Sequence, residues 1–295
     1  MKKISLLILL LLFGLPLKSQ TTKDLRNKIN EIISTKKATV GISLKGIEDK
    51  DTLSINGNKE TPMMSVFKFH IALAVLHQVD KGKLKLDQKF FIKKEALLPE
   101  TWSPMRDEYP QGNIYLTLDQ LLRYTVSHSD NNGCDILLNI IGGTEVVQKF
   151  INQQGIKDFT IKLNEQEMSS FDKYYINTTT PLATTELIEK FYKGKVLKKE
   201  TTKYLYQVMV ETSRGLTWMK AGLPIGTELA HRTGISGRNE NNLRAAMNDV
   251  GIIKLPNGKH VILSVYLKNI NEEMADTEKI IADISRTVWE YYVQK

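Results

Sequence analysis

Ser65 and Lys68 stand three positions apart at the start of an apolar run, Phe67-Lys68-Phe69-His70-Ile71, and the pair can do chemistry. A serine hydroxyl is a weak nucleophile until a base takes its proton. A lysine can be that base if burial or neighbouring cations keep its amine neutral. Three residues along a helix share a face, so the amine reaches the hydroxyl. A helix N-terminus disfavours a cation and offers N–H groups to a developing oxyanion. A lysine in the first turn, where Asp or Glu is the ordinary choice, therefore serves the serine better than it serves the helix. Taken alone, Ser-x-x-Lys is a common pattern. Two more strings accompany it: Ser129-Asp130-Asn131, in a polar break between two helical runs, and Arg232-Thr233-Gly234-Ile235-Ser236-Gly237, on a strand-like segment late in the chain.

In this order the three strings resemble the serine β-lactamases and penicillin-binding proteins, and the likeness covers essentially the whole chain after its leader. The tail phrase NDVGIIKLPNGKHVIL is similar to that family's penultimate strands. Glu165, 100 residues after Ser65 in LNEQEMSSFDKYYINTTTP, points to class A. Its segment Glu165-Gln166-Glu167-Met168 is similar to the class's Glu-x-x-Leu core, whereas Glu167 and Glu145 are competing carboxylates.

The resemblance implies roles. Ser65 attacks the lactam carbonyl, and Lys68, or Glu165 through a water, takes its proton. The N–H groups of Ser65 and Ile235 form the oxyanion hole, Ser129 relays a proton to the lactam nitrogen, and Glu165 activates the deacylating water. Asn131 binds the side-chain amide of the substrate, and Arg232 with Thr233 holds its carboxylate. The Ile235-Ser236-Gly237 turn resembles the extended-spectrum branch, and Trp102-Ser103-Pro104 is similar to the family's aromatic gate, with a core position the other reading of Trp102. Three departures stand out. Arg232 replaces the usual lysine, so it can grip a carboxylate with two parallel bonds but cannot shuttle protons. Ser169 stands where an asparagine is frequent, and Leu163 and Asn177 stand near the places of the Arg–Asp bridge that usually closes the loop of the catalytic glutamate.

Strand-like alternation at 39–44 and 51–55 returns only at 228–234, 243–255 and 259–267, with helical periods at 65–80, 116–128, 145–154, 182–194 and 199–211 between. Residues 83–113 and 163–178 show neither period. The expected class is α+β: an antiparallel sheet built from both termini, flanked by the first and last helices (23–35 and 272–292), with an inserted all-α domain, as in the serine β-lactamase/DD-peptidase-like fold. The divisions are 1–19 as a signal peptide, 20–58 with 212–295 as the sheet domain, and 59–211 as the helical domain, with the ligand cleft between the last two.

Lys2 and Lys3 before an apolar run to Leu15, then Pro16 and Ser19, have the layout of a secretory leader too short to span a bilayer comfortably. A periplasmic protein is expected. The formal charge is +8, about +5 once the leader is removed, and the surplus is scattered, which argues against nucleic acid. Cys134 is the only cysteine, so no internal disulfide forms, and its apolar surroundings suit inert packing. The five histidines (His70, His77, His128, His231 and His260) form no zinc motif, and no glycine-rich phosphate loop occurs, so no metal or cofactor is expected. A monomer acting on small β-lactams is the reading. A DD-peptidase-like penicillin-binding protein and a β-lactam sensor module are the alternatives, separated from it by whether the acyl-enzyme is hydrolysed.

Overall fold

The computed structural model describes residues 21–295. The leader therefore lies outside the described residues. Five strands form one antiparallel sheet in the order β2-β1-β10-β9-β8: β1 (Thr39–Gly46), β2 (Thr52–Ile55), β8 (Leu229–Ile235), β9 (Arg244–Lys254) and β10 (His260–Ile270). The period of two sorts their side chains onto two faces. Val40, Ile42 and Leu44 of β1 join Leu263 and Val265 of β10 under helices α1 (Thr22–Ile33) and α9 (Met274–Gln294), which contribute Leu25, Ile29, Ile281, Ile284 and Val288. On the opposite face Gly41, Ser43 and Ser264 are small where α7 (Pro181–Tyr192) lies close against them, while Ile262 and Tyr266 join the helical core. A Cβ on Gly41 would sit 3.0 Å from Pro181 Cγ, and Thr185 Oγ1 donates to Ser264 Oγ at 2.9 Å.

The helical layer centres on α2 (Phe67–Asp80), buried from Phe67 to Leu76 on every side. A helix apolar all round belongs in a core. Around it pack α4 (Leu118–Ser127), α5 (Asn131–Ile141), α6 (Thr144–Gln153) and α8 (Lys199–Val210), whose Leu121, Leu122, Leu137, Leu138, Val147, Leu205 and Val208 are buried in the same cluster. His70 stacks on Phe159 with ring centroids 4.6 Å apart, and burial lowers its pKa to about 3, so it is a neutral core residue.

The structure corrects three local expectations. Ser65 is not in the α-helix but on the 3-10 turn Met64–Val66 that leads into it. Residues 83–113 are not wholly irregular: β4 (Lys89–Ile92) pairs with β5 (Ile114–Thr117), and α3 (Pro104–Glu108) lies between them. Leu116 belongs to β5 rather than to the following helix. Thr117 ends that strand as the cap of α4: its hydroxyl accepts the Gln120 N–H at 3.2 Å, and the Gln120 side chain accepts the Thr117 N–H at 2.9 Å. The remaining pieces are short: β3 (Thr61–Pro62) and β6 (Phe159–Thr160) flank β7 (Thr178–Thr179).

Candidate active site

The first wall is the Met64–Val66 turn. Met64 has φ +46°, an uncommon conformation for a side chain of this size, and such strain collects at functional sites. The turn is held by Asn248 of β9, whose Nδ2 donates to Pro62 O at 2.8 Å and Met63 O at 3.0 Å. In the first turn of α2, the wholly buried Lys68 Nζ lies 3.1 Å from Ser65 Oγ and 2.8 Å from both Ser129 O and Glu165 Oε1, and it also bonds Asn131 Oδ1.

The second wall is the α4–α5 connection. Ser129 has φ +62°, which turns its hydroxyl and carbonyl toward Lys68. Asp130 fixes this loop: it caps α5 through the Gly133 N–H at 2.7 Å and accepts the Met105 N–H at 2.7 Å and the Ser103 hydroxyl at 2.9 Å. Asn131 Nδ2 donates to Thr101 Oγ1 at 2.7 Å. Trp102 donates its Nε1–H to His128 O at 3.0 Å and is 46% exposed, so its ring lines the mouth rather than the core.

The third wall is β8, an edge strand. Ser236 N–H bonds Ala246 O at 3.0 Å on β9, so by alternation the Ile235 N–H points to the open edge, toward the cleft. Gly234 lets this strand ride over the Ser65 turn: a Cβ there would lie 2.6 Å from Met63 O and 3.0 Å from Ser65 N. Ser65, Ser129, Asn131, Glu165, Thr233, Ile235, Ser236 and Trp102 all line one cleft of about 1040 Å³.

Arg232 is placed otherwise than expected. Its guanidinium is wholly buried beneath the cleft, with Nη2 2.6 Å from Ser129 Oγ. A two-pronged grip on a substrate carboxylate is therefore not its geometry. Burial lowers its pKa to about 10, with the Glu165 charge acting the other way, and it stays a cation at neutral pH.

The chain matches the model of the beta-lactamase enzyme family over residues 24–292. It is a class A member of the beta-lactamase enzyme family. It is 44% identical to beta-lactamase VEB-1 of Pseudomonas aeruginosa, with 100% of this chain and 99% of the relative covered. It is 38% identical to the extended-spectrum beta-lactamase PER-1 of the same organism, covering 92% and 88%. The solved structure of the TLA-1 extended-spectrum beta-lactamase superposes with TM-score 0.91 at 47% identity, covering 93% of this chain and 100% of that one.

In this β-lactamase the loop that carries Glu165 is pinned by Asp135, which the sequence patterns did not single out, and by Asn177, which they marked only as a missing ion pair. Asp135, one turn after Asn131 on α5, accepts the N–H groups of Glu165 at 2.8 Å and Gln166 at 3.0 Å. Asn177 closes the base in place of an ion pair: its Oδ1 accepts the N–H groups of Lys162 at 2.8 Å and Leu163 at 3.0 Å, and its Nδ2 donates to Leu163 O at 2.7 Å. Glu167, the competing carboxylate, is spent on the Asn164 N–H at 2.8 Å. Ser169 is exposed, and its hydroxyl meets Lys173 Nζ at 3.3 Å. Cys134 is buried, and burial pushes its thiol pKa up, as suits an inert core residue.

Burial raises the Asp135 pKa from 3.8 to about 6 against the pull of its two N–H bonds, with Glu165 adding to the rise and Lys68 opposing it. The folded state thus holds that proton more tightly than the unfolded chain does. The resulting stability is complete below pH 3.8 and is lost as pH rises through about 6. Relative to Asp135→Asn, the parent should lose melting temperature across that window in thermal unfolding. A difference independent of pH would refute the assignment.

Proposed function

We propose that this β-lactamase opens the lactam amide of penicillins and cephalosporins through a covalent acyl-serine, in a cleft between two interleaved parts, 20–58 with 212–295 and 59–211. Ser65 Oγ bonds to the carbonyl carbon as its proton passes to Lys68, or through water to Glu165. The N–H groups of Ser65 and Ile235 stabilise the oxyanion, each donor worth roughly 3 to 4 kcal/mol in comparable sites. The C–N bond breaks as Ser129 protonates the leaving nitrogen, and Arg232 holds the Ser129 hydroxyl for that transfer. Glu165 then deprotonates a water that attacks the ester, and Ser65 leaves with a proton. Asn131 meets the acylamide side chain, Thr233 presents its hydroxyl to the carboxylate, and Ser236, whose hydroxyl donates to Gly237 O at 2.8 Å, shapes the turn beside it.

One observation carries this reading: Lys68 Nζ lies 3.1 Å from Ser65 Oγ and 2.8 Å from Glu165 Oε1. A carboxylate in that place supports hydrolysis of the acyl-enzyme, which neither a DD-peptidase nor a sensor module needs. Relatives named beta-lactamases also weigh against both alternatives. Incubation with nitrocefin tests the reading. Many equivalents of product per enzyme are expected, and a single stoichiometric burst would overturn it. Hydrolysis of oxyimino-cephalosporins, export to the periplasm and a monomeric state complete the proposal. No helix among the described residues is long and apolar enough to cross a membrane.

A further inference from the structure

With Arg232 buried, the charge on the cleft wall comes from elsewhere. Among the described residues that line the cleft, the charged side chains are Glu100, Glu165, Arg214 and Glu278, so Arg214 is the one cation. Its guanidinium carbon sits 4.3 Å from the centroid of the Trp102 ring, in stacking range. Both ends of this contact are anchored. Trp102 is tied to His128 O, and Ser213 beside Arg214 donates its N–H to Ser127 O at 3.0 Å while its hydroxyl meets His128 Nδ1 at 3.0 Å. On the other side, Gly215 has φ +67° and packs so closely on β8 that a Cβ would meet Thr233 Cγ2 at 2.6 Å. A side chain there would push the Arg214 segment off the strand. The arginine is thus carried on a segment packed against Thr233, with its guanidinium over the Trp102 ring and its side chain exposed in the cleft.

We propose that Arg214, held over the Trp102 ring, is a specificity-determining residue that receives the carboxylate of the substrate at the cleft mouth. The inference rests on the β-lactam reading above and assigns the ionic part of recognition to the loop after α8 rather than to Arg232. A stacked guanidinium loses little further freedom on forming paired hydrogen bonds, which favours a planar carboxylate over a compact anion. Its exposure makes the attraction sensitive to salt.

The test compares nitrocefin with its methyl ester, which lacks the anion, in the parent, Arg214→Gln and Arg214→Lys. The parent should prefer the acid in kcat/KM. Arg214→Gln should cut the acid-to-ester ratio about tenfold, mostly through KM, and Arg214→Lys should restore part of it. Added salt should lower the ratio in the parent more than in Arg214→Gln. Equal losses for acid and ester in Arg214→Gln, or an unchanged ratio, would overturn the proposal. Failure of the parent to turn over either compound would instead fault the underlying hydrolase reading.

Discussion

Glu165→Ala should turn the enzyme into one that reacts once and stops. Steady hydrolysis of nitrocefin is expected to fall by about 100- to 10,000-fold, the range a general base supplies, while a stoichiometric burst persists. Mass spectrometry of the stopped reaction should show one acyl adduct on the peptide that contains Ser65. The burst survives because Lys68 keeps its contacts with Ser65 Oγ, Ser129 O and Asn131 Oδ1. The same change removes the carboxylate 2.8 Å from a wholly buried amine, so the variant should also melt earlier than the parent. Loss of the burst together with turnover would make Glu165 the obligatory base of acylation. Unimpaired turnover would remove it from the mechanism.

Gly234→Ala is expected to be nearly as damaging without touching a side chain of the site. The new methyl would be 2.6 Å from Met63 O and 3.0 Å from Ser65 N, both backbone atoms, so either β8 or the nucleophile turn must move. Both proposed oxyanion donors sit on those two segments. A loss of one such donor costs about 100- to 1,000-fold in kcat, and displacement of the strand threatens both. The circular dichroism spectrum should stay native while acylation slows. Acylation at the parental rate would show that the strand edge does not serve the oxyanion.

The chemistry was legible because its groups lie in short strings. Ser65 and Lys68 are three residues apart where a turn runs into a helix, Ser129 and Asn131 flank the start of α5, and Glu165 follows at a distance that the family resemblance makes meaningful. The sheet was legible from its period-two segments at both ends. What escaped was created by tertiary approach. Asp135 reads as an ordinary helix residue until a loop 30 residues on lays its backbone against it. Asn177 reads as a missing ion pair, yet a neutral amide with donors and an acceptor satisfies the same backbone. Arg214 sits in a polar segment whose value depends on Trp102, far away in the chain. Arg232 carried the right charge for a ligand, but its burial follows from where β8 enters the sheet. The β4–β5 pair was hidden because Lys93-Lys94-Glu95 and a long intervening stretch break the alternation.

The enclosure of α2 on all sides has a consequence for how the enzyme fails. Lys68 lies in the buried stretch of α2 and should open only with the whole molecule, with Ser65 on the turn that leads into it, whereas Glu165 rides on a surface strap fastened by Asp135 and Asn177. Mild heat or denaturant should therefore release the strap first. In that interval the protein still captures the drug but cannot let it go. Its last act before denaturing is to become a sponge for the antibiotic it normally destroys.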